Sequence, residues 1–500
     1  MNGSFRAHVA IPLGLVLLPV LVYSNTVFHR FGLRDDYSIS REAGEEPAKL
    51  MRFFGSQGRP VYGWLLKISA GRTPDIGDFC WLRLAGVICL GLVAAGLYFV
   101  LRRQRWRDGW AALTAALLVL LPSGQLIAGW GICWPHMVAA GLGLTGFAAA
   151  EQGLEAAGLW RRAAWLGLAV AAVVVGALDY QSGVMFYLVG VAAGLGRRLG
   201  APGWKPLAWL VAHAGVLVAG LLLAFNATMG LFAAGVYPRS PRIGIDLNLP
   251  GKLGLFFADA LPNALGLFVL NDEQVRTGGL FVTALVAVLA LLLAGVLWLR
   301  RRRGTGAALL WLAGVAGLPL AAYGVSLVAA ERWVTYRTLY PCAAVVLVLA
   351  LTVLDWLLPG RTRPRLRLAG LAGLTFASAV AARWQAYTLF ALPQALELRL
   401  LEVGARAIDP AQHPRVFVLT PDSLMAPAPV RWADEFGSVS MDSDWTPKEA
   451  LKHLMHERFP GRPDMAGHYT YASGGAVPKG EHPDVVIDLR RIADYRGKLE

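Results

Sequence analysis

The chain has little of what a soluble enzyme of its length carries. Only 16% of its 500 residues are charged, while 56% are hydrophobic, which leaves too little polar surface to cover a water-soluble particle of that size. Cysteine is scarce as well. Cys80, Cys89, Cys133 and Cys342 all fall in or at the ends of apolar runs, so they offer no disulfide framework. No phosphate-cradling loop, dinucleotide glycine motif or nucleophile elbow stands in a fitting context, which disfavours an enzyme driven by cytoplasmic nucleotides. Acids are few, 33 against 47 lysines and arginines, for a net charge of +14. The cations nonetheless form no nucleic-acid-binding face, because they stand in short clusters between apolar runs.

What is present is a series of apolar stretches, most of them near the length that crosses a bilayer. They lie near 9–27, 79–101, 110–127, 132–150, 163–177, 183–195, 207–225, 280–299, 307–328, 340–357 and 368–382. The expected fold is therefore a polytopic α-helical membrane protein of about 11 transmembrane helices. The 56 glycines suit closely packed membrane helices. Arginines cluster at Arg102, Arg103, Arg105 and Arg107, at Arg161 and Arg162, at Arg197 and Arg198, at 300–303, and at Arg361, Arg363, Arg365 and Arg367. Such clusters mark the cytoplasmic side, which puts the N-terminus inside and the C-terminus outside. Segment 62–68, with Trp64 and Lys67, reads as an amphipathic interfacial helix. An apolar piece at 253–270, interrupted by Asp259 and Pro262, reads as interfacial or re-entrant rather than spanning.

Past 382 the apolar runs shorten, and acids and prolines rise. Strands are expected at 415–419 and 485–489, with a helix at 448–459 entered at Thr446-Pro447 and capped by Thr446. The division that follows is a transmembrane catalytic domain over 1–382, with outer loops at 28–78 and 226–277, and a small outer α/β domain over 383–500 suited to acceptor recognition. His453 and His456 share a helical face near Glu449 and Glu457, but no third metal ligand is matched to them.

Three polar stretches carry candidate chemistry. The first is the island at 33–64, with Asp35-Asp36, Arg41 and Gly58-Arg59-Pro60. Adjacent acids beside a bilayer must stay hydrated, find cations or accept a raised pKa, and a carboxylate so placed can take the proton of a hydroxyl nucleophile. A solvated loop marking the membrane boundary is the plainer alternative. The second is Asp179-Tyr180-Gln181 at the end of a span, where an acid is costly unless it meets water or a partner. It is assigned to substrate binding, against a simple polar turn. The third, at 331–337, offers Arg332, Tyr336 and Arg337 at headgroup level. There arginines can hold a lipid phosphate and stabilise it as it leaves, or simply snorkel.

Asp35-Asp36-Tyr37, Arg41 and Gly58-Arg59-Pro60 after the first span, with Asp179-Tyr180-Gln181 further on, resemble the Gtr-type O-antigen glucosyltransferases of bacteria, a family of the GT-C class. The resemblance covers about the first two-thirds of the chain. Segment 42–57 departs from it in being rich in Glu and Lys. The resemblance implies a multi-pass enzyme of the bacterial inner membrane with a periplasmic active site. A hexose would move, with inversion, from an undecaprenyl-phosphate or similar polyprenyl-phosphate carrier to a cell-envelope glycan or lipid-linked acceptor such as that of lipopolysaccharide. Asp35 and Asp36 become the candidates for the base, with Arg41 and Arg59 as supports. No cofactor is required by it, and a divalent cation, Mg or Mn, is the one that acids of this kind would hold. The expected partners are donor, acceptor and membrane lipids, with no nucleic acid. Two other readings stand beside it. An O-antigen polymerase or ligase would use the outer arginines without the Asp pair, whereas a lipid-linked sugar transporter or flippase would bury charges within its spans.

Overall fold

A computed structural model describes residues 3–199, 206–271, 278–358, 364–422, 425–427, 434–496 and 498. Arg361 and Arg363 of the last arginine cluster and 272–277 of the second outer loop lie outside the described residues. The chain opens with α1 (Gly3–Val27), α2 (Asp35–Glu45), α3 (Pro47–Ser56), α4 (Pro60–Ala70), α5 (Phe79–Arg103), α6 (Asp108–Leu120), α7 (Pro122–Gly129), α8 (Pro135–Glu155), α9 (Leu159–Asp179) and α10 (Tyr187–Arg198). It continues with α11 (Pro206–Ala233), α12 (Leu249–Leu255), α13 (Leu261–Leu265), α14 (Gly279–Arg303), α15 (Thr305–Ala322), α16 (Gly324–Val328), α17 (Tyr336–Leu357), α18 (Pro364–Ala386), α19 (Leu392–Ala405) and α20 (Thr446–Arg458). Three strands, β1 (Arg415–Leu419), β2 (Thr470–Gly474) and β3 (Val485–Asp488), complete it.

Among the described residues, nine helical runs are long and apolar enough to cross a membrane, or ten if one bent pair counts, against eleven apolar stretches in the sequence. The chain is a multi-pass membrane protein with a smaller count among its described residues than expected; two stretches account for the difference, and a third keeps its place but not its bounds. Stretch 110–127 breaks between α6 and α7, which meet at 56°. Pro122 opens α7 and holds Leu121 extended at ψ 153°, as the residue before proline tends to be. Stretch 183–195 becomes a 3-10 turn followed by α10, whose 12 residues cover only about 18 Å of a hydrocarbon core about 30 Å thick. Stretch 368–382 does not end where its apolarity ends. α18 passes through a π turn at Tyr387–Ala391 into α19, so the run extends to Ala405. The domain boundary set at 383 therefore falls inside a helix, whose polar residues find partners: Arg383 on the Leu21 carbonyl and Asn25, Gln394 on the Ser438 carbonyl.

α17 is the central helix, buried without interruption over 339–353. The interfacial reading of α4 agrees with its faces, since Tyr62, Leu66 and Ala70 are buried while Trp64, Lys67 and Ile68 are exposed. α11 runs to Ala233, so the second outer loop begins later than 226. α12, a π turn and α13 occupy the interrupted apolar piece, and the buried Lys252 of α12 donates to the carbonyls of Ala329 and Glu331, at 2.5 Å each. Several clustered arginines lock helix ends together. Arg198 pairs with the buried Glu151 of α8, which also accepts from Gln104, Trp209 and His213 at 2.7–2.9 Å. Arg197 and Arg367 share Asp355. Each of these buried charges thus has a partner that offsets its desolvation.

β1 lies between β2 and β3, parallel to both. Two of these strands and α20 follow the sequence pattern. β2, of sequence TYASG, does not, because small and polar residues replace the apolar alternation that marks a strand. Thr446 is the first residue of α20 rather than its cap. Leu398, Leu401, Val416, Val418, Ile487 and Met455 form one apolar core together with Tyr37, Ile76 and Phe79. The strand unit and the first outer loop therefore share a core.

Candidate active site

α2 begins at the aspartate pair, with both acids in its first turn, where the free amides and the helix dipole favour negative charge. Neighbours on a helix are turned by about 100°, and the two carboxyls consequently meet different surroundings. Asp36 is wholly buried. It accepts the amide of Leu33 at 2.9 Å, that of Ile132 at 3.0 Å and that of Gly131 at 3.4 Å. Burial pushes its pKa up to about 6 against the pull of those amides and of Arg83. Asp36 is thus a fastener between α2 and the 131–133 turn. Asp35 is half-buried, and its carboxyl makes no hydrogen bond or ion pair among the described residues, while its carbonyl accepts from Ser38 Oγ at 3.3 Å. Burial raises its pKa, Arg337 and then Arg34 oppose that, Glu435 adds to it, and Arg242 acts more weakly against it.

Arg34 precedes the pair with φ 43° and ψ −106°. Its Nε donates to Glu435 at 2.8 Å and one terminal nitrogen to Asp442 at 3.3 Å. Arg41, expected to support the pair, does not reach it. Six residues along the helix place it on another face, where Glu449, Glu45 and Glu46 hold it at 2.6, 3.0 and 2.8 Å. The Glu/Lys-rich segment is occupied in the same way, with Lys49 on Glu42 at 2.8 Å.

Arg59 meets Tyr180 and Gln181. Its Nε donates to the Gln181 Oε1 at 3.0 Å, its guanidinium lies 4.9 Å from the Tyr180 ring centre, and Gln181 donates back to the Gly58 carbonyl at 3.3 Å. Gly58 takes φ +70°, where any Cβ would stand 3.0 Å from Thr228. Asp179 is fully buried, and neither oxygen has a hydrogen-bond partner among the described residues. Arg337 stacks 4.2 Å from the Trp130 ring, and its enclosed Nε has no hydrogen-bond partner among the described residues. Burial raises the Tyr180 hydroxyl pKa, and Arg59 and Arg337 both oppose it, as Arg337 also opposes the rise at Asp35. Tyr336 is buried against Phe436, and its amide donates to Asp434 at 2.8 Å. Arg332 is exposed and paired with Asp246 at 2.8 Å, away from this cluster.

No protein-family model and no curated protein matches the chain. Two crystal structures of the Archaeoglobus fulgidus oligosaccharyltransferase are similar to it, one in complex with Zn and sulfate and one in the apo form. Both share 13% identity and cover 94% of this chain, with TM-scores of 0.40 and 0.44. This chain spans 62% and 64% of the length of those chains. That likeness assigns it no activity.

Sequence reasoning did not consider Arg34 and Glu435, and it reads Trp130 as part of an aromatic belt and His136 as an interfacial histidine, leaving both out of the candidate site. Only Arg34 had a local signal, its place beside Asp35. His136 Nδ1 donates to the Cys133 carbonyl at 2.9 Å, and its ring lies 3.7 Å from that of Tyr180. No set of three or more His, Cys, Asp or Glu side chains is placed to hold a metal among the described residues. His453, considered as a ligand, has both ring nitrogens on carbonyls, Pro74 at 2.9 Å and Tyr37 at 2.8 Å. Among the described residues, no side-chain set fits a divalent cation.

Proposed function

We propose that this chain is a GT-C-type glycosyltransferase of the bacterial inner membrane. It moves a hexose from a polyprenyl-phosphate carrier to a cell-envelope glycan or lipid-linked acceptor on the periplasmic side. The observation that carries this reading is the split within the aspartate pair: Asp36 is tied to three amides while Asp35 is left unengaged beside Arg337. Asp35 takes the proton of the acceptor hydroxyl as that oxygen attacks the anomeric carbon. The carbon–oxygen bond to the carrier breaks with its electron pair going to polyprenyl phosphate, and a single displacement inverts the anomeric centre. Arg337 and Arg59, the latter oriented by Gln181, face the phosphate and stabilise the charge it gains. Tyr180 and Tyr336 line the same region. Arg332 belongs to the outer rim, at headgroup level.

The test uses the protein in liposomes with radiolabelled undecaprenyl-phosphate hexoses. Asp35→Asn is expected to lose about 10²–10⁴-fold in transfer, the usual worth of a general base, while keeping its fold. Undiminished transfer by a folded Asp35→Asn protein rules out Asp35 as base. Loss in Arg337→Ala alone, with Asp35→Asn active, points instead to a polymerase or ligase acting on a polyprenyl pyrophosphate.

A further inference from the structure

The C-terminal unit supplies no group to the chemistry above, yet it grips the loop that presents Asp35. Arg34 lies outside the backbone regions that an L residue occupies at ease, at φ 43° and ψ −106°. Its donors all go to one short segment. The amide donates to Ser440 Oγ at 3.0 Å, Nε to Glu435 at 2.8 Å, and the two terminal nitrogens to Asp442 at 3.3 Å and the Val439 carbonyl at 3.4 Å. That segment is fixed in turn. Glu397 of α19 accepts the amides of Ser440 and Met441 at 2.8 and 3.0 Å, and Ser438 donates to Glu435 at 2.8 Å. A residue stays strained only where its surroundings over-determine it, and here four donors fix it. The next peptide leaves in the direction that the ψ of Arg34 dictates, and the next side chain is Asp35.

We infer that Arg34, clamped by Glu435 and Asp442, is a positioning residue that aims the Asp35 carboxylate at the acceptor hydroxyl. The inference rests on Asp35 being the base. Freed from the clamp, the backbone relaxes and the carboxylate moves off line, a displacement that slows the step without changing how the carrier binds. The charges matter as well. Arg34, Arg337 and Arg242 hold the Asp35 pKa down, whereas burial and Glu435 hold it up. Removing Arg34 therefore raises that pKa, and removing the charge of Glu435 lowers it.

The experiment measures transfer by the full chain in liposomes as a function of pH for wild type, Arg34→Gly, Arg34→Lys, Glu435→Gln and Asp35→Asn, each checked for monodisperse elution. Glycine tolerates the observed φ and ψ but does not impose them. Arg34→Gly is expected to lose about 10²-fold in kcat, the cost of a misplacement near 1 Å, with the KM for donor held within about threefold. Its acid limb should move to higher pH. Arg34→Lys keeps the charge, so its limb should stay near that of wild type while kcat recovers part of the loss. Glu435→Gln should move the limb to lower pH, and it decides the matter if Arg34→Gly does not fold. Wild-type kcat in Arg34→Gly, or an acid limb unmoved in both Arg34→Gly and Glu435→Gln, overturns the positioning role. With Asp35→Asn inactive in the same assay, that result leaves the base assignment intact. An active Asp35→Asn instead removes the base assignment itself.

Discussion

Two aspartates that adjoin in sequence meet different surroundings: Asp36 is held by backbone amides, and Asp35 is the base of the proposed mechanism. Asp36 faces a turn 95 and 96 residues later, where Gly131 and Ile132 offer their amides. Replacing it by asparagine sets a donor against buried backbone donors and leaves at least one of them unsatisfied, at a cost of about 1–3 kcal/mol. Asp36→Asn should therefore unfold at lower temperature and denaturant than Asp35→Asn, which loses no hydrogen bond, in a detergent-solubilised melt. Equal melting of the two variants speaks against the fastener role. The pair was legible in the sequence as a candidate site, as were the arginines at 59 and 337. Which acid is tied down was not, because that depends on amides brought from the 131–133 turn. The support expected from Arg41 failed for a related reason. A six-residue step along α2 turns the side chain away, toward Glu45 and Glu46 and toward Glu449 of α20, which no local pattern joins to it.

Elements follow the sequence where periodicity or chain chemistry constrains them, and depart from it where partners decide. The strands at Arg415–Leu419 and Val485–Asp488 carry their pattern on their face. The helix through 383–405 does not, since its polar residues look like a domain edge until Gln394 and Glu397 are seen to meet the 438–441 backbone. The turn before α4 is constrained at Gly58. With φ +70° and Thr228 3.0 Å from any added Cβ, Gly58→Ala costs about 1–2 kcal/mol of local strain and shifts Arg59 off Gln181. The expected outcome is a raised KM for the phosphate-linked donor with kcat little changed. An unaltered KM in the transfer assay shows that Arg59 does not hold the phosphate.

At the scale of the whole molecule, the two expected domains do not separate. Tyr37, Ile76 and Phe79 of the first outer loop share a core with Leu398, Leu401, Val418 and Ile487, and Arg30 adds ion pairs to Glu402 and Glu457. A chain ended at 382 would expose that apolar surface to water. It should elute as aggregate in detergent gel filtration, whereas two independent domains would leave a monodisperse membrane part. Hydropathy made the membrane class legible from composition alone, yet it marks apolar length and not packing, which is why the boundary at 383 followed the apolar run rather than the core.

The bond from Arg34 to Asp442 joins residues 408 positions apart. During synthesis the loop at Arg34 emerges early, while the segment that clamps it is translated about 20–80 s later at the usual 5–20 residues per second. Through that interval the loop after the first helix lacks every partner that fixes Arg34 in the folded chain, so the backbone that presents Asp35 takes its final course only once translation has passed residue 442.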